Sequence, residues 1–490
     1  MKRATILLTT EGTFPFVRGG VGGWCRDLIT GLGEDCDFYV HALTTPAHEK
    51  YSYELPENIR VLTSISLWGS KDSIRQHQNE TISQRKISRR EPFNASIADD
   101  QFLEPLFYLF DPTVDVYKQS GALLRALESI TTYFQIYDYM QTFQSEIVWE
   151  RFATYFDTVA TPEKATLFDI RNALTTLSHL CFVFAIDFPE GIDYIHATAA
   201  GWSGIHAIAA KIRTGKPLFL TEHGVYLREQ LFFLRENNGY SPALRSFFQF
   251  LVHRIVQLNY LCADIVIPVC EFNARWERYL QVPEEKIQVI HNGVYIPDQN
   301  QGGETHVLSG KPAINVVSAI YPLKDIKTII HAARLIKDEL PDVQIRIFGA
   351  IKSPDYFRMC AQLIKGVGVE DTVSIYGVVD DVRERFRPGD IFLQTSLSEG
   401  LPYGILEAMS ERQAIVSTAV GGIPEALSDC GLYIPTKSPK EVAETCLLLC
   451  KNPELRTIFA NCAYHRVQQY FHLEQMVDAY RQLYQQQFVI

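Results

Sequence analysis

Ile391-Phe-Leu-Gln-Thr395, followed after two residues by Ser398-Glu-Gly-Leu-Pro-Tyr-Gly-Ile-Leu-Glu-Ala-Met409, reads as a strand, a broken turn and a helix. The apolar run stops at Thr395, Gly400 and Pro402 interrupt the chain, and helix-forming residues follow. Such a junction leaves first-turn N–H groups unbonded and presents the positive end of the helix dipole. That geometry suits an anion, a phosphate above all. Gly400, Leu401, Pro402, Tyr403 and Gly404 form the junction, and Glu399 and Glu407, eight positions apart, flank it. Either Glu alone reads as a solvated charge at a helix start. Carboxylates repel phosphate, so as ligand contacts both select hydroxyls. A phosphate with hydroxyls on either side describes a nucleotide sugar.

Outward from this stretch the chain alternates strands and helices. In the first half the expected strands are Ala4–Thr9, Phe38–Ala42, Ile59–Leu62, Tyr194–His196, Pro217–Leu220, Ile265–Pro268 and Ile287–Ile290. In the second half they are Ala313–Ser318, Gln344–Phe348, Thr372–Tyr376, Ile391–Thr395 and Ile415–Thr418. This rhythm predicts two doubly wound α/β domains, whose ligands sit beyond the carboxyl ends of parallel strands. Pro297 to Gly310, rich in glycine and polar residues, is the expected linker. Between about 70 and 190 the rhythm breaks. A polar segment, Lys71–Asp100, precedes helical spacing such as Leu123, Leu124, Ala126, Leu127 and Ile130. This predicts a helical insertion whose aromatic residues are core.

The chain has 490 residues, is 47% hydrophobic and 21% charged, and carries a net charge of −11. The acidic balance and the lack of a basic stripe exclude general nucleic-acid binding. Ten scattered cysteines without a Cys-x-x-Cys pair read as free thiols, which suits a reducing cytoplasm. Cys446 and Cys450 read as core thiols. The opening Met-Lys-Arg-Ala-Thr-Ile-Leu-Leu-Thr-Thr10 is too short an apolar run for a signal peptide. No segment approaches a membrane span, so membrane contact is left to a peripheral association with a partner. Asp380 and Asp381 are adjacent, and in extended chain they point opposite ways; they read as a loop, and no metal is expected.

Further candidates lie at other strand ends. Gly19 and Gly20, in the loop after the first strand, let backbone approach a ligand closely. His223 stands between Glu222 and Gly224 just past Pro217–Leu220. A lone histidine is commonly a structural one, but this position at a strand end favours a functional role. Asn292-Gly293 predicts a tight turn, and Glu271 a helix-start charge.

Ser396 to Glu425, ending in Thr418-Ala-Val-Gly-Gly-Ile-Pro-Glu425, resembles the Glu-x7-Glu region of retaining glycosyltransferases of family 4, which have the GT-B fold. Thr10-Glu-Gly-Thr-Phe-Pro-Phe-Val-Arg-Gly-Gly-Val21 and Thr221-Glu-His-Gly-Val-Tyr226, with Arg228-Glu229 after it, resemble the PelF-type enzymes of exopolysaccharide synthesis. The resemblance covers most of the chain and is weakest in the insertion. It implies an acceptor-side domain over 1–300, a nucleotide-sugar domain over 301–471 and a helix over 472–490 that crosses back. It implies transfer of a hexose from a nucleoside diphosphate donor, UDP-linked by expectation, to a saccharide hydroxyl, with no cofactor. A membrane polysaccharide-export complex is the implied partner. Glu399 then lies near the transferred sugar, Glu407 on the ribose, Lys324 on the diphosphate and His223 at the reacting centre, with His196 a second candidate. The family's diphosphate-gripping Arg falls on Ala319 in Ser318-Ala-Ile-Tyr-Pro-Leu-Lys-Asp325. Arg18 or Arg228, from the facing domain, are the candidate replacements. A non-catalytic sugar-nucleotide-binding subunit and a GT-B sugar-nucleotide epimerase are the rival readings.

Overall fold

Short apolar strands alternating with amphipathic helices build two sheets. The computed structural model describes residues 3–44, 50–67, 74–76, 90–161, 163–236, 239–297, 313–379, 382–387 and 390–485. The expected linker beyond Pro297, and Asp380 and Asp381, lie outside the described residues.

The first sheet comprises β1 (Ala4–Glu11), β2 (Cys36–Thr44), β3 (Ile59–Ser66), β4 (Ile74–Gln76), β5 (Tyr194–Ala197), β6 (Leu218–Glu222) and β7 (Ile265–Pro268). Its order is β4-β3-β2-β1-β5-β6-β7. Every pair is parallel except β3 with β4. The second sheet comprises β8 (Ile314–Val317), β9 (Ile345–Phe348), β10 (Val373–Gly377), β11 (Ile391–Gln394), β12 (Ala414–Thr418) and β13 (Leu432–Ile434). It is parallel throughout, in the order β10-β9-β8-β11-β12-β13. Parallel strands covered on both faces read as nearly unbroken apolar runs; Ile391 to Gln394 are all buried.

Strand order reverses between β1 and β5 in one sheet and between β8 and β11 in the other. At such a switch point the loops leaving neighbouring strands diverge and open a crevice. The loop after β8 carries Lys324 and the loop after β11 carries Glu399, so strand order brings the two together.

The insertion is helical, and its aromatic side chains Phe102, Tyr133, Phe134 and Phe152 are wholly buried against the first sheet's core. The helix Leu473–Gln485 buries Met476, Val477, Tyr480, Leu483 and Tyr484 among Ile6, Trp24 and Phe38 of the first domain. Full burial of such side chains stabilises by about 1.5–3 kcal/mol each. Gly31 makes room for this helix, since a Cβ there would lie 2.5 Å from a methyl of Val477.

Three sequence expectations need correction. Ile287–Ile290 is not a regular strand: Ile287 forms one bridge with Val266, and the Gln288 and Ile290 amides donate to the Val266 and Pro268 carbonyls at 2.9 and 3.1 Å, so the segment only lines the edge of β7 before the chain crosses between domains. Asn292-Gly293 does not form a tight turn. Its side-chain amide donates to the Leu401 carbonyl at 2.8 Å, and Gly293 lies against the His472 carbonyl, so the pair fastens one domain to the other. The cysteines are not all free, because folding brings Cys430 and Cys462 into a disulfide while eight thiols remain. Among the described residues no helix is long and apolar enough to cross a membrane.

Candidate functional site

The two sheets face a cleft of about 740 Å³. The first domain lines it with Arg18, Gly19, Gly20 and His223. The second supplies Lys324, Glu399, Gly400, Leu401, Pro402, Tyr403, Gly404 and Glu407. Twelve of the fourteen candidates named from sequence therefore meet in one place.

Two helices begin at this cleft, Gly20–Gly31 and Tyr403–Ser410. Neither has a side-chain cap, and neither carries an acidic residue in its first turn. Both leave orphan N–H groups and a partial positive charge at the cavity. A Cβ on Gly20 would stand 3.3 Å from the Tyr403 ring, so the helix starts nearly touch across the domains.

Lys324 and Glu399 form a buried ion pair, and Glu399 Oε1 also accepts from Gln394 Nε2 at 2.7 Å. Burial disfavours the Lys324 ammonium, but the Glu399 charge, helped by Tyr321 and Glu229, more than offsets it and lifts its pKa above the usual lysine value. Lys324 is therefore a fixed cation. The ammonium groups of Lys324 and Lys352 both lie over the Tyr321 ring, 5.8 and 6.0 Å from its centre. Burial and the neighbouring Lys324 charge push the Lys352 pKa down. Ala319 lines the same wall. Lys352 thus brings a second positive charge to the region where the resemblance expects an Arg.

His223 follows β6 and meets Trp24 edge-on, ring centres 4.7 Å apart. Its Nε2 is buried and has no hydrogen-bond partner among the described residues. Burial pushes its pKa down to about 3, so the ring is neutral at pH 7 and offers one donor and one acceptor nitrogen. Gly224, beside it, leaves space that the Glu229 carboxylate fills. Across the cleft Gly400 lies against the His223 carbonyl, where a Cβ would sit 1.9 Å from that oxygen.

Arg18 spans the cleft mouth, donating from Nε to the Ser52 carbonyl at 3.1 Å and from Nη1 to the Val379 carbonyl at 3.4 Å. Two candidates lie elsewhere. His196 is wholly buried, its ring bonded to the Tyr484 hydroxyl and to Thr221 Oγ1, so it fastens the C-terminal helix to β5 and cannot reach a ligand in the cleft. It points into the face of the sheet that this helix covers. Arg228 lines a second cavity and not the cleft. Gln394 and Lys352 are the residues that sequence reading missed; a polar Gln inside an apolar strand was the available signal for the first. Asp429, Cys430 and Cys462 bring metal-type ligands together, but the two sulfurs are bonded to each other.

His196 provides a test of its structural role. Burial, then the nearby His223, push its pKa to about 3 from an ordinary 6.5. Below pH 6.5 the unfolded chain binds the proton that folded His196 refuses, so its contribution falls as pH falls. Glu222, buried and raised to about 7, acts oppositely: its contribution is complete below the ordinary 4.5 and lost as pH rises through 7. His196→Gln should therefore flatten the loss of Tm from pH 6.5 downward relative to wild type. A thermal-melt series with identical acid slopes in both proteins would contradict this.

Residues 4–284 match a family model described as a domain of unknown function, DUF3492, and residues 303–466 match glycosyl transferases group 1. Among curated relatives, the chain is 25% identical over 305 residues to N-acetyl-alpha-D-glucosaminyl L-malate synthase of Bacillus anthracis, covering 60% of this chain and 75% of that protein. It is 30% identical over 179 residues to trehalose synthase of Pyrococcus horikoshii, covering 34% and 43% respectively, so it spans less than half the length of that relative. Of solved structures, Anabaena HepE in complex with UDP and glucose aligns over 97% of this chain and 98% of its own at 13% identity, with a TM-score of 0.59. Sucrose-phosphate synthase of Thermosynechococcus elongatus covers 99% of both chains at 16% identity, with a TM-score of 0.57. At these identities the structural likeness establishes the GT-B fold alone. Taken with the family matches, the chain belongs to the DUF3492 family and is a glycosyltransferase with a group 1 second domain.

Proposed function

We propose that this enzyme transfers a hexose from a UDP-linked donor to a saccharide hydroxyl with retention of configuration, in exopolysaccharide synthesis. One observation carries the reading: an uncapped helix start flanked by Lys324, Lys352, Glu399 and Glu407 in a single cleft. The diphosphate would rest on the amides near Tyr403 and Gly404, with Gly19 and Gly20 approaching from the facing domain. Lys324 and Lys352 would neutralise it as charge grows on the leaving group. Glu407 would take the ribose hydroxyls, and Glu399 a sugar hydroxyl.

The acceptor oxygen would bond to the anomeric carbon on the face that the diphosphate leaves. The bond to the β-phosphate oxygen breaks and its electron pair departs with UDP. The acceptor proton passes to that phosphate oxygen. Neutral His223, with its unpartnered Nε2, would hydrogen-bond the sugar and hold it in place. Protein charges supply the positive field, so the scheme calls for no metal or cofactor.

In this reading residues 1–300 carry the acceptor side, 301–471 the donor side and 472–490 the returning helix. The enzyme works in the cytoplasm, where it associates peripherally with a polysaccharide-export complex.

Calorimetric titration with a panel of nucleoside diphosphate hexoses, followed by NMR of the product's anomeric configuration, tests the reading. An inverted product or a preference for a non-uridine donor would overturn the corresponding part. Glu407→Ala and Lys352→Ala should each weaken UDP itself by about tenfold, the loss of one charged contact. Unchanged UDP titrations in both variants would remove them from the donor site.

A further inference from the structure

A second cavity, of about 390 Å³, adjoins the cleft and is lined by Arg228, Glu271, Phe272, Arg275, the Ala419–Gly421 segment and Glu425. One thickness of backbone separates the two cavities. Gly421 (φ 63°) lies so close to Glu399 that a Cβ would sit 2.0 Å from the Glu399 carbonyl oxygen, and the Gly422 amide donates to the Gly400 carbonyl at 2.8 Å. The second cavity therefore ends beside the residue placed at the transferred sugar.

Its charges are unevenly satisfied. Glu425 holds His291 Nε2 at 2.6 Å with one oxygen and the Glu271 amide at 2.7 Å with the other. Glu271 is paired with Arg278. Both carboxylates are thus occupied. The guanidiniums are not: Arg228 lies 5.7 Å over the Phe272 ring, and its Nη1 is sealed from solvent without a hydrogen-bond partner among the described residues. Glu229 contributes a carboxylate charge near Arg228 without bonding that nitrogen. Arg275 is exposed at the rim and makes no ion pair among the described residues. A buried cationic N–H without an acceptor is costly, and planar guanidinium matches carboxylate and phosphate oxygens.

We propose that this cavity receives the acceptor, and that the acceptor carries an anionic group, a carboxylate or a phosphate, held between Arg228 and Arg275. The proposal rests on the transferase reading and adds the substrate class. Because Gly421 and Gly422 close against Glu399 and Gly400, an acidic saccharide anchored there would extend over that strip of backbone to present a hydroxyl in the main cleft. The Arg228 and Phe272 stack holds the guanidinium plane in position before the ligand arrives.

The test uses the full chain saturated with UDP, so that the diphosphate site is filled. Three probes are titrated by ligand-observed NMR: a glucuronate-terminated disaccharide, glucose 6-phosphate and a neutral glucose disaccharide. The expected result is that at least one anionic probe binds about tenfold or more tightly than the neutral one, the yield of one charge-assisted contact. The preferred probe tells carboxylate from phosphate. Arg228→Gln and Arg275→Gln should each erase most of that preference while UDP affinity stays as in wild type. Arg275 is exposed, so its variant remains informative should Arg228→Gln fail to fold. Equal affinity for neutral and anionic probes, or an undiminished preference in Arg275→Gln, would overturn the assignment with the donor reading intact. Failure of wild type to bind UDP would overturn both.

Discussion

Glu399→Gln should slow hexose transfer by ~10²–10³-fold, the scale of removing one preorganised electrostatic contact at a reacting centre. UDP should bind the variant at least as tightly as wild type. The reasoning starts from burial. The Lys324 and Glu399 side chains are 15% and 8% exposed, and Glu399 Oε1 is fixed from both sides by Lys324 and Gln394. Removing the carboxylate charge strands a buried ammonium, and breaking such a pair costs ~3–5 kcal/mol. The empty variant should therefore melt earlier than wild type. A diphosphate restores a negative partner to Lys324, so UDP should raise the variant's Tm by more than it raises that of wild type. In wild type Lys324 is held above the usual lysine pKa of 10.5, so the stability contributed by its bound proton is complete below that value and is lost in stronger alkali. Melting curves with and without UDP, alongside turnover, check this. Equal turnover would remove Glu399 from the reacting centre, and a loss of UDP affinity would place it on the nucleotide instead.

Gly400→Ala should be nearly as damaging without touching a charge. The added Cβ would stand 1.9 Å from the His223 carbonyl oxygen and 3.5 Å from Asn273 Nδ2. Asn273 is itself tied to the Glu222 carbonyl at 3.0 Å, so this wall cannot yield by a rotamer change. Overpacking against backbone costs ~1–3 kcal/mol or more. The cheapest relief is for the domains to separate by about the size of the clash. A displacement of about 1 Å between reacting groups lowers turnover by roughly 10²-fold. The groups assigned to the diphosphate belong mainly to the second domain, so UDP affinity should change by no more than about threefold, under 1 kcal/mol. A variant with normal kcat would show that contact between His223 and Gly400 is not needed for transfer. Loss of UDP binding together with kcat would show that the second domain itself had been distorted.

The candidate site was legible where chemistry follows from local chain geometry. Gly400 through Gly404 lie between a strand and a helix, and that succession alone creates unbonded amides. Glu399 and Glu407 flank them in sequence and therefore in space. Lys324 and Glu399 lie 75 residues apart, yet the expected strand rhythm placed both at carboxyl strand ends, where a switch point joins them. His196 shows where such reasoning stops. It too stands at a strand end, but its ring faces the side of the sheet that Leu473–Gln485 covers, and alternation along a strand does not say which face receives a helix from the far end of the chain. Lys352 was missed for a related reason: nothing local links it to Tyr321, over whose ring it meets Lys324.

By itself the amino-acid sequence determined most of the strand and helix succession, though not β4, β13 or the irregular Ile287–Ile290, together with the buried apolar strands of the second sheet and the uncapped strand-to-helix junction at Tyr403. These arise from neighbours a few residues apart, through backbone sterics, periodicity and unpaired amides. The tertiary structure alone decided that His223 faces Gly400, that Asn292 fastens Leu401, that Cys430 meets Cys462 and that Arg228 belongs to a second cavity. Each of those depends on how two separately folded sheets dock, and docking is set by shape and burial summed over many distant residues, which no short stretch of chain encodes.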